Sequence, residues 1–193
     1  MRVLVACEYS GIVREAFKSK GHDTWSCDLL PTEIPGQHIQ GDVLKILNDG
    51  WDLMIAHPPC TYLTYAGMGA WNKPGRKEKR EEAFRFFMEL YNAPIPRVAI
   101  ENPRGYPSRM FRRPDQEVNP FDYGEAERKR VCFWLKNLPP LFCGLQVAVA
   151  PKVIYTRKDG RKYKGYYHQG KNAHERSRFF KGIAKAMAEQ WSF

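Results

Sequence analysis

The sequence predicts an α/β domain built on a mostly parallel sheet with helices on both faces. Three observations carry that expectation. Short apolar runs rich in Val, Leu and Ile recur along the first two thirds of the chain, the segments between them repeat apolar residues at helical spacing, and Gly or Pro marks most junctions. Strands separated by helices cannot pair as tight hairpins, so successive strands run the same way and their connections cross over the sheet.

"RVLVA" (2–6) is the first β-branched run, and "IVREAFKSKGH" after it sets Ile12, Val13, Ala16 and Phe17 at helical spacing, with Gly11 in the turn between. Gly21 stops that helix, "DTWSC" (23–27) is the next strand, and Asp28 stands at its end. "GDVLKIL" reads as a helix start with Asp42 at or near the cap. "DLMIA" (52–56) supplies another strand and ends in His57, two prolines and Cys60. Residues 61–76 contain three glycines and no sustained period, which predicts a long loop of the kind that usually serves function. "EKREEAFRFFMELYN" returns to helical spacing through Ala83, Phe86, Phe87 and Leu90, and "RVAI" (97–100) is a strand that ends in Glu101, Asn102 and Pro103.

From 104 to 127 the chain is rich in Pro, Arg and Asp without periodicity and reads as an irregular surface excursion; "KRVCFWL" is the next strand. "KVIYTRKDGRKYKGYYH" alternates apolar and basic residues around Asp159-Gly160, a hairpin signal, and "HERSRFFKGIAKAMAEQW" reads as one amphipathic helix. With no internal repeat, low-complexity tract or linker, residues 1–193 are expected to form a single domain, in which 137–173 make a small basic hairpin insertion.

Composition narrows the function. A hydrophobic fraction of 43% and an aromatic fraction of 13% supply enough apolar area for one core. No run approaches the roughly twenty apolar residues of a membrane span, and the N-terminus turns polar too early for a secretory signal. The expectation is a soluble protein with no membrane partner, in a cytosol. Five cysteines form no C-x-x-C pair and are odd in number, which predicts reduced thiols and no metal centre. Lys plus Arg total 31 against 21 acids, a net charge of +10, so the expected partner is a polyanion such as nucleic acid; simple mutual repulsion in solution is the alternative.

The stretch "WDLMIAHPPCTYL" (51–63) admits two readings. Either Leu53 to Ala56 form a buried strand stopped by prolines and Cys60 is a small core residue, or the strand delivers a thiol to the carboxyl edge of the sheet, where open α/β folds place their chemistry. The other strand ends favour the second. In order they carry the Gly11 turn, Asp28, Asp42, Pro59-Cys60, Glu101-Asn102 and Arg128-x-Arg130. Each has an ordinary explanation alone, as a cap, a strand-end acid or a solvated charge run.

Taken together, over residues 2 to 135, this order resembles the DNA cytosine-5 methyltransferase family, Pro-Cys and Glu-Asn being the most specific part. The resemblance implies a Rossmann-like methyltransferase fold with S-adenosylmethionine as cofactor, bound by Cys7, Glu8, Gly11, Asp28, Leu29, Asp42 and Pro58. Within that set Asp28 is expected at the ribose hydroxyls and Asp42 at the adenine amino group. It implies Cys60 as the nucleophile at C6 of cytosine, Glu101 as the acid at N3, and Asn102 as a clasp on the neighbouring loop. Arg128 and Arg130 are expected near the thiolate, the base O2 or a phosphate. The implied partner is double-stranded DNA with the target base flipped out, met by a monomer.

The chain also departs from the family pattern. Of the usual Phe-x-Gly-x-Gly-Gly motif only Gly11 remains, and Glu8 is a charge without explanation there. Thr61 follows Pro-Cys where Gln is usual, Ala126 stands where the arginine motif has Gln, and the basic hairpin replaces a target-recognition domain. Two alternatives therefore stand beside the main reading: a methyltransferase of RNA, single-stranded or modified bases, and a basic nucleic-acid-binding module without catalysis. A metal-dependent nuclease is disfavoured, since Asp28, Asp42 and Glu101 are better explained separately.

Overall fold

A computed structural model describes residues 1–125, 127, 129–143, 153–156, 158–165 and 172–192. Seven strands form one sheet: β1 (Arg2–Ala6), β2 (Asp23–Asp28), β3 (His38–Gln40), β4 (Leu53–Ala56), β5 (Arg97–Asn102), β6 (Gln116–Val118) and β7 (Val131–Lys136), in the order β3-β2-β1-β4-β5-β7-β6. The first five are mutually parallel, and β7 runs antiparallel to both β5 and β6. The sheet is therefore mixed but mostly parallel, compatible with a Rossmann-like fold. Chain order turns outward in opposite directions from β1 and β4, so their carboxyl ends border the crevice that such a reversal opens.

The central strands are continuous apolar runs because both of their faces are covered. Side chains alternate across the sheet. Val3 and Val5 pack with Val13 and Phe17 of α1 (Ile12–Lys18) and with Ile183, Ala184 and Met187 of α5 (Lys181–Gln190). Leu4 and Ala6 point the other way, into a second cluster with Phe87 and Leu90 of α2 (Arg76–Asn92).

A buried arginine organises the β1–β2 edge. Arg14 is 0% exposed, and its guanidinium donates to Ser26 Oγ, Thr32 Oγ1 and the Ile34 carbonyl, besides pairing with Glu15. The loop after β2 is thereby laced to α1. A Cβ on Gly36 would stand 2.8 Å from Arg14 Nη2, so the backbone approach needs glycine.

Four sequence expectations are corrected. "GDVLKIL" forms only a single 3-10 turn, Val43–Ile46, whose N-cap Asp42 accepts from the Leu44 amide. The 104–127 segment is not irregular throughout: it contains α3 (Tyr106–Met110), β6 and a 3-10 turn at Pro120–Asp122. The loop at 61–76 is partly ordered, with a 3-10 turn at Tyr65–Ala70 and a bridge from Thr64 to Gly105.

The C-terminal helix is two helices, α4 (Ala173–Ser177) and α5, broken at Arg178, whose ψ of 140° is extended. The break lets the adjacent Phe179 and Phe180 both be buried, and Glu125 Oε1 accepts from the Gly182 amide in the first turn of α5.

The expected hairpin is present as β8 (Val153–Thr156) and β9 (Lys162–Gly165), antiparallel, with Gly160 at φ +80° and Asp159 Oδ1 accepting from the Arg161 amide. Positions 144–152, 157 and 166–171 of the expected insertion lie outside the described residues. No helix among the described residues is long and apolar enough to cross a membrane.

Candidate active site

The carboxyl ends of β1, β2, β4 and β5 open on one cleft of about 650 Å³. At the end of β1 the chain turns sharply: Cys7 takes a left-handed φ of +58°, uncommon for a residue with a Cβ. The turn sends Glu8 inward. Its carboxylate accepts from the Val13 amide (2.6 Å), the Arg14 amide (3.2 Å) and Ser10 Oγ (3.2 Å), which caps α1 where Gly11 has no side chain to do so. Burial pushes the Glu8 carboxyl up from its ordinary value, while the charge of His57 and these bonds oppose the rise.

The end of β4 carries His57, Pro58, Pro59 and Cys60, and this turn is held from two sides. Asn102, 1% exposed at the end of β5, donates from Nδ2 to the Pro58 carbonyl at 2.8 Å. Beyond it, the Leu63 and Thr64 amides donate to the Cys60 carbonyl at 2.9 and 3.0 Å. Thr64 is in turn bridged to Gly105, where a Cβ would fall 1.8 Å from the Leu63 carbonyl oxygen, so no larger residue fits.

Of the three cysteines around these strand ends, Cys60 is exposed, Cys7 is half-buried and Cys27 is buried. Burial raises the Cys7 thiol far above its usual value, with the charges of Asp28, Cys27 and Asp42 adding to it, and Cys27 is pushed up to about 11. Neither is a nucleophile near neutral pH. The Cys60 thiol is also raised, first by the protein mass behind it and then by Glu101; Lys129 and its own backbone amide act the other way. Among the described residues, the cation that favours the thiolate is Lys129; of the two expected arginines, Arg128 lies outside the described residues and Arg130 is engaged elsewhere. Arg130 Nε pairs with Glu117 Oε2 at 3.4 Å, and Arg104 binds the same carboxylate.

Cys60 and Glu101 line the same cleft, together with Cys7, Glu8, Asp28, Pro58, Asn102 and Arg130. Asp28 Oδ1 accepts from the Leu30 amide at 2.9 Å, which holds the carboxylate at the end of β2. Three expected cofactor residues do not line the cleft. Gly11, at φ +74°, is the N-cap of α1 against the Arg14 guanidinium; Leu29 is 74% exposed beside the cleft-lining Leu30; and the exposed Asp42 caps the 3-10 turn. Arg128 lies outside the described residues.

Sequence reasoning left His57 and the opposite wall unassigned. His57 Nδ1 lies 3.3 Å from Glu101 Oε2, and its ring packs on Phe179 with centroids 4.6 Å apart. His57 Nε2 and Asn102 Oδ1 are buried and have no hydrogen-bond partner among the described residues. The wall is built by the C-terminal return. Tyr9 Oη donates to the His174 carbonyl, lies 2.8 Å from Ser177 Oγ, and its ring stacks on His174 at 4.5 Å. Glu33 joins the same wall through His174 Nε2 (2.9 Å) and a two-pronged bond to Arg178 (2.8 and 2.7 Å), and the Arg178 guanidinium holds its carboxyl below the ordinary value. The His before Pro58 is the available signal; the wall has none, because more than 140 residues separate its halves.

Chemically, the cleft offers an exposed thiol, a carboxyl that shares hydrogen-bond distance with an imidazole, an acid at a neighbouring strand end, and Lys129, Arg130 and Arg178 on its walls. Compared with protein-family models and with curated proteins, the chain finds no match.

Proposed function

We propose that the protein is an S-adenosylmethionine-dependent methyltransferase that modifies cytosine C5 in DNA through a covalent adduct on Cys60. The observation that carries this reading is that an exposed thiol and the Glu101 carboxyl, from the ends of neighbouring strands, face one cleft at the reversal of strand order.

The cleft suits the cofactor in two respects. Its volume lies within the range of small-molecule sites, and Asp28 offers a carboxylate at the end of β2, where ribose hydroxyls are accepted in nucleotide-binding α/β folds. Asp42, turned to the Leu44 amide, supports no adenine contact. When bound, S-adenosylmethionine supplies an electrophilic methyl group.

Cytosine C5 is a poor nucleophile, so the residues must raise its electron density first. Cys60 Sγ adds to C6 while Glu101 donates at N3, leaving C5 as the carbon of an enamine. C5 then takes the methyl group as the cofactor's own sulfonium–methyl bond breaks and the thioether leaves; loss of the C5 proton to solvent then expels Cys60 Sγ from C6 and restores the ring. Asn102 holds the turn that presents Cys60. Lys129, Arg130 and Arg178 offer positive charge to the backbone of a flipped nucleotide.

The test is transfer of isotope-labelled methyl groups to matched DNA and RNA, with bisulfite sequencing of the DNA product. Methylated cytosine in DNA, abolished in Cys60→Ala with cofactor binding retained in calorimetry, is the expected result. Normal turnover by Cys60→Ala overturns the reading, and transfer to RNA alone changes the substrate. The departures in the first motif, together with the net charge of +10, favour one further reading, a basic nucleic-acid-binding module without catalysis. Absence of cofactor binding at millimolar concentration selects that module.

A further inference from the structure

Building on the reading of Cys60 as nucleophile, we propose that His57 and Glu101 act as one proton-handling pair, which removes the proton of the Cys60 thiol and delivers it to N3 of the target base. His57 is the positioning residue of the pair and acts through Glu101.

The backbone sets the two side chains side by side. Ala56 and Ile100 are register partners on β4 and β5; His57 is the residue just beyond β4, and Glu101 is the next residue on β5. Nδ1 then lies 3.3 Å from Oε2, with the two side chains only 10% and 18% exposed. Phe179 packs against the ring and fixes its plane. Nδ1 is the ring nitrogen with a hydrogen-bond partner among the described residues, whereas Nε2 is buried without one. A neutral ring therefore donates from Nδ1 to Oε2 and leaves the other carboxylate oxygen for the cleft.

The thiol needs such a base. Its surroundings hold the proton on sulfur, and Glu101 is the strongest charge contributing to that effect. The same proximity makes Glu101 the natural acceptor of the proton. A carboxylate and an imidazole at this distance exchange protons as a coupled pair, so uptake and release belong to both side chains together. Glu101 lies within hydrogen-bond distance of His57, Phe179 packs on its ring and Glu8 from the β1 turn lies within reach of its charge, while Cys60, Asp28, Lys129, Arg130, His174 and Arg178 line the same cleft. Glu8 feels the His57 charge, so an imidazolium formed there acts on carboxyl groups at the ends of both neighbouring strands.

The step balances without any external reagent. The Sγ–H bond breaks and its proton passes to the pair. Sγ bonds to C6, the C5=C6 π pair shifts to C4–C5, and the C4=N3 π pair forms the N3–H bond with the proton that the pair returns. Positioned acid–base groups of this kind contribute about 10²- to 10⁴-fold in rate.

The test compares wild type with His57→Asn, which keeps an N–H donor toward Oε2 but holds no titratable proton. Two readouts are taken across pH: single-turnover methyl transfer to DNA, and cofactor-free alkylation of Cys60 by iodoacetamide, followed by mass spectrometry of its peptide. In His57→Asn, transfer at neutral pH is expected to fall about tenfold or more with KM for DNA within about twofold. The acid limb of the transfer profile is expected to be displaced, because the asparagine side chain neither takes up nor releases a proton. Cys60 alkylation is expected to follow the same displacement.

An unchanged limb in both readouts overturns the proposal. If wild type methylates no nucleic acid, the methyltransferase reading fails while the alkylation profiles still decide the pair. Should His57→Asn not fold, ¹⁵N shifts of the His57 ring in wild type decide it. Titration of the ring together with Cys60 alkylation is expected, and a ring of constant charge across that limb refutes the pair.

Discussion

Replacing Asn102 tests whether the cleft depends on the clasp between β5 and the cysteine turn. In Asn102→Ala the 2.8 Å bond to the Pro58 carbonyl is lost inside the protein, since the residue is 1% exposed. Leaving a buried carbonyl without a partner costs about 1–3 kcal/mol. Part of this is returned, because the change also removes Asn102 Oδ1, which is itself buried without a partner among the described residues. The net loss is about 1–2 kcal/mol, or roughly 2–8 °C in melting temperature for a chain of this size.

Asn102→Asp separates the clasp from mere packing. The substitution keeps the volume but turns a donor into a carboxylate oxygen against the Pro58 carbonyl, and an unpaired buried charge costs more than a missing bond, about 3 kcal/mol or beyond. Calorimetric melts of the three proteins, with Cys60 alkylation rates alongside, should rank wild type above Asn102→Ala above Asn102→Asp. A variant with Asp that melts with wild type, or one with Ala that melts higher, would refute the assignment of Asn102 as a clasp.

Two further predictions concern the cofactor end and the far wall. Asp28→Ala should weaken S-adenosylmethionine binding about tenfold or more in calorimetry, whereas Asp42→Ala should leave binding intact and cost about 1 kcal/mol as a lost cap; equal loss of binding in both would return Asp42 to the site. The Glu33 carboxyl is held low by Arg178, so its contribution to stability is complete above the ordinary glutamate value and is lost as pH falls through the lower folded value. Melting temperatures measured from pH 3 to 6 should therefore fall less steeply for Glu33→Gln, as judged by a denaturation series on roughly that range; parallel slopes would show that Glu33 does not titrate with folding.

The elements legible in the sequence are those whose burial is two-sided. β1, β4 and β5 are apolar runs because helices cover both faces, and β2 was recognisable between Gly21 and Asp28. The three-residue strands β3 and β6 stand at the two edges, where pairing with a neighbour defines the strand and residue pattern contributes little. The break at Arg178 has no signal in the string, because Phe179 and Phe180 continue an amphipathic pattern there and only the tertiary return buries them both.

The site divides in the same way. Cys60, Glu101, Asn102 and Asp28 could be named because each stands at the end of a recognisable strand. Glu8 had no local explanation, since its partners are the amides of residues 13 and 14 across the turn. Lys129, adjacent to the expected arginines, was obscured by a run of charges in which spacing cannot tell which cation faces the thiol.

The wall in which Tyr9 meets His174 and Ser177, and Phe179 meets His57, has a consequence for biosynthesis. During translation the sheet edge bearing the thiol leaves the ribosome long before the segment that flanks it. Until residues 174 to 179 emerge, the imidazole lacks its aromatic support and the hollow lacks a side. A nascent chain thus carries the exposed Cys60 thiol in an unfinished enclosure until that segment is made.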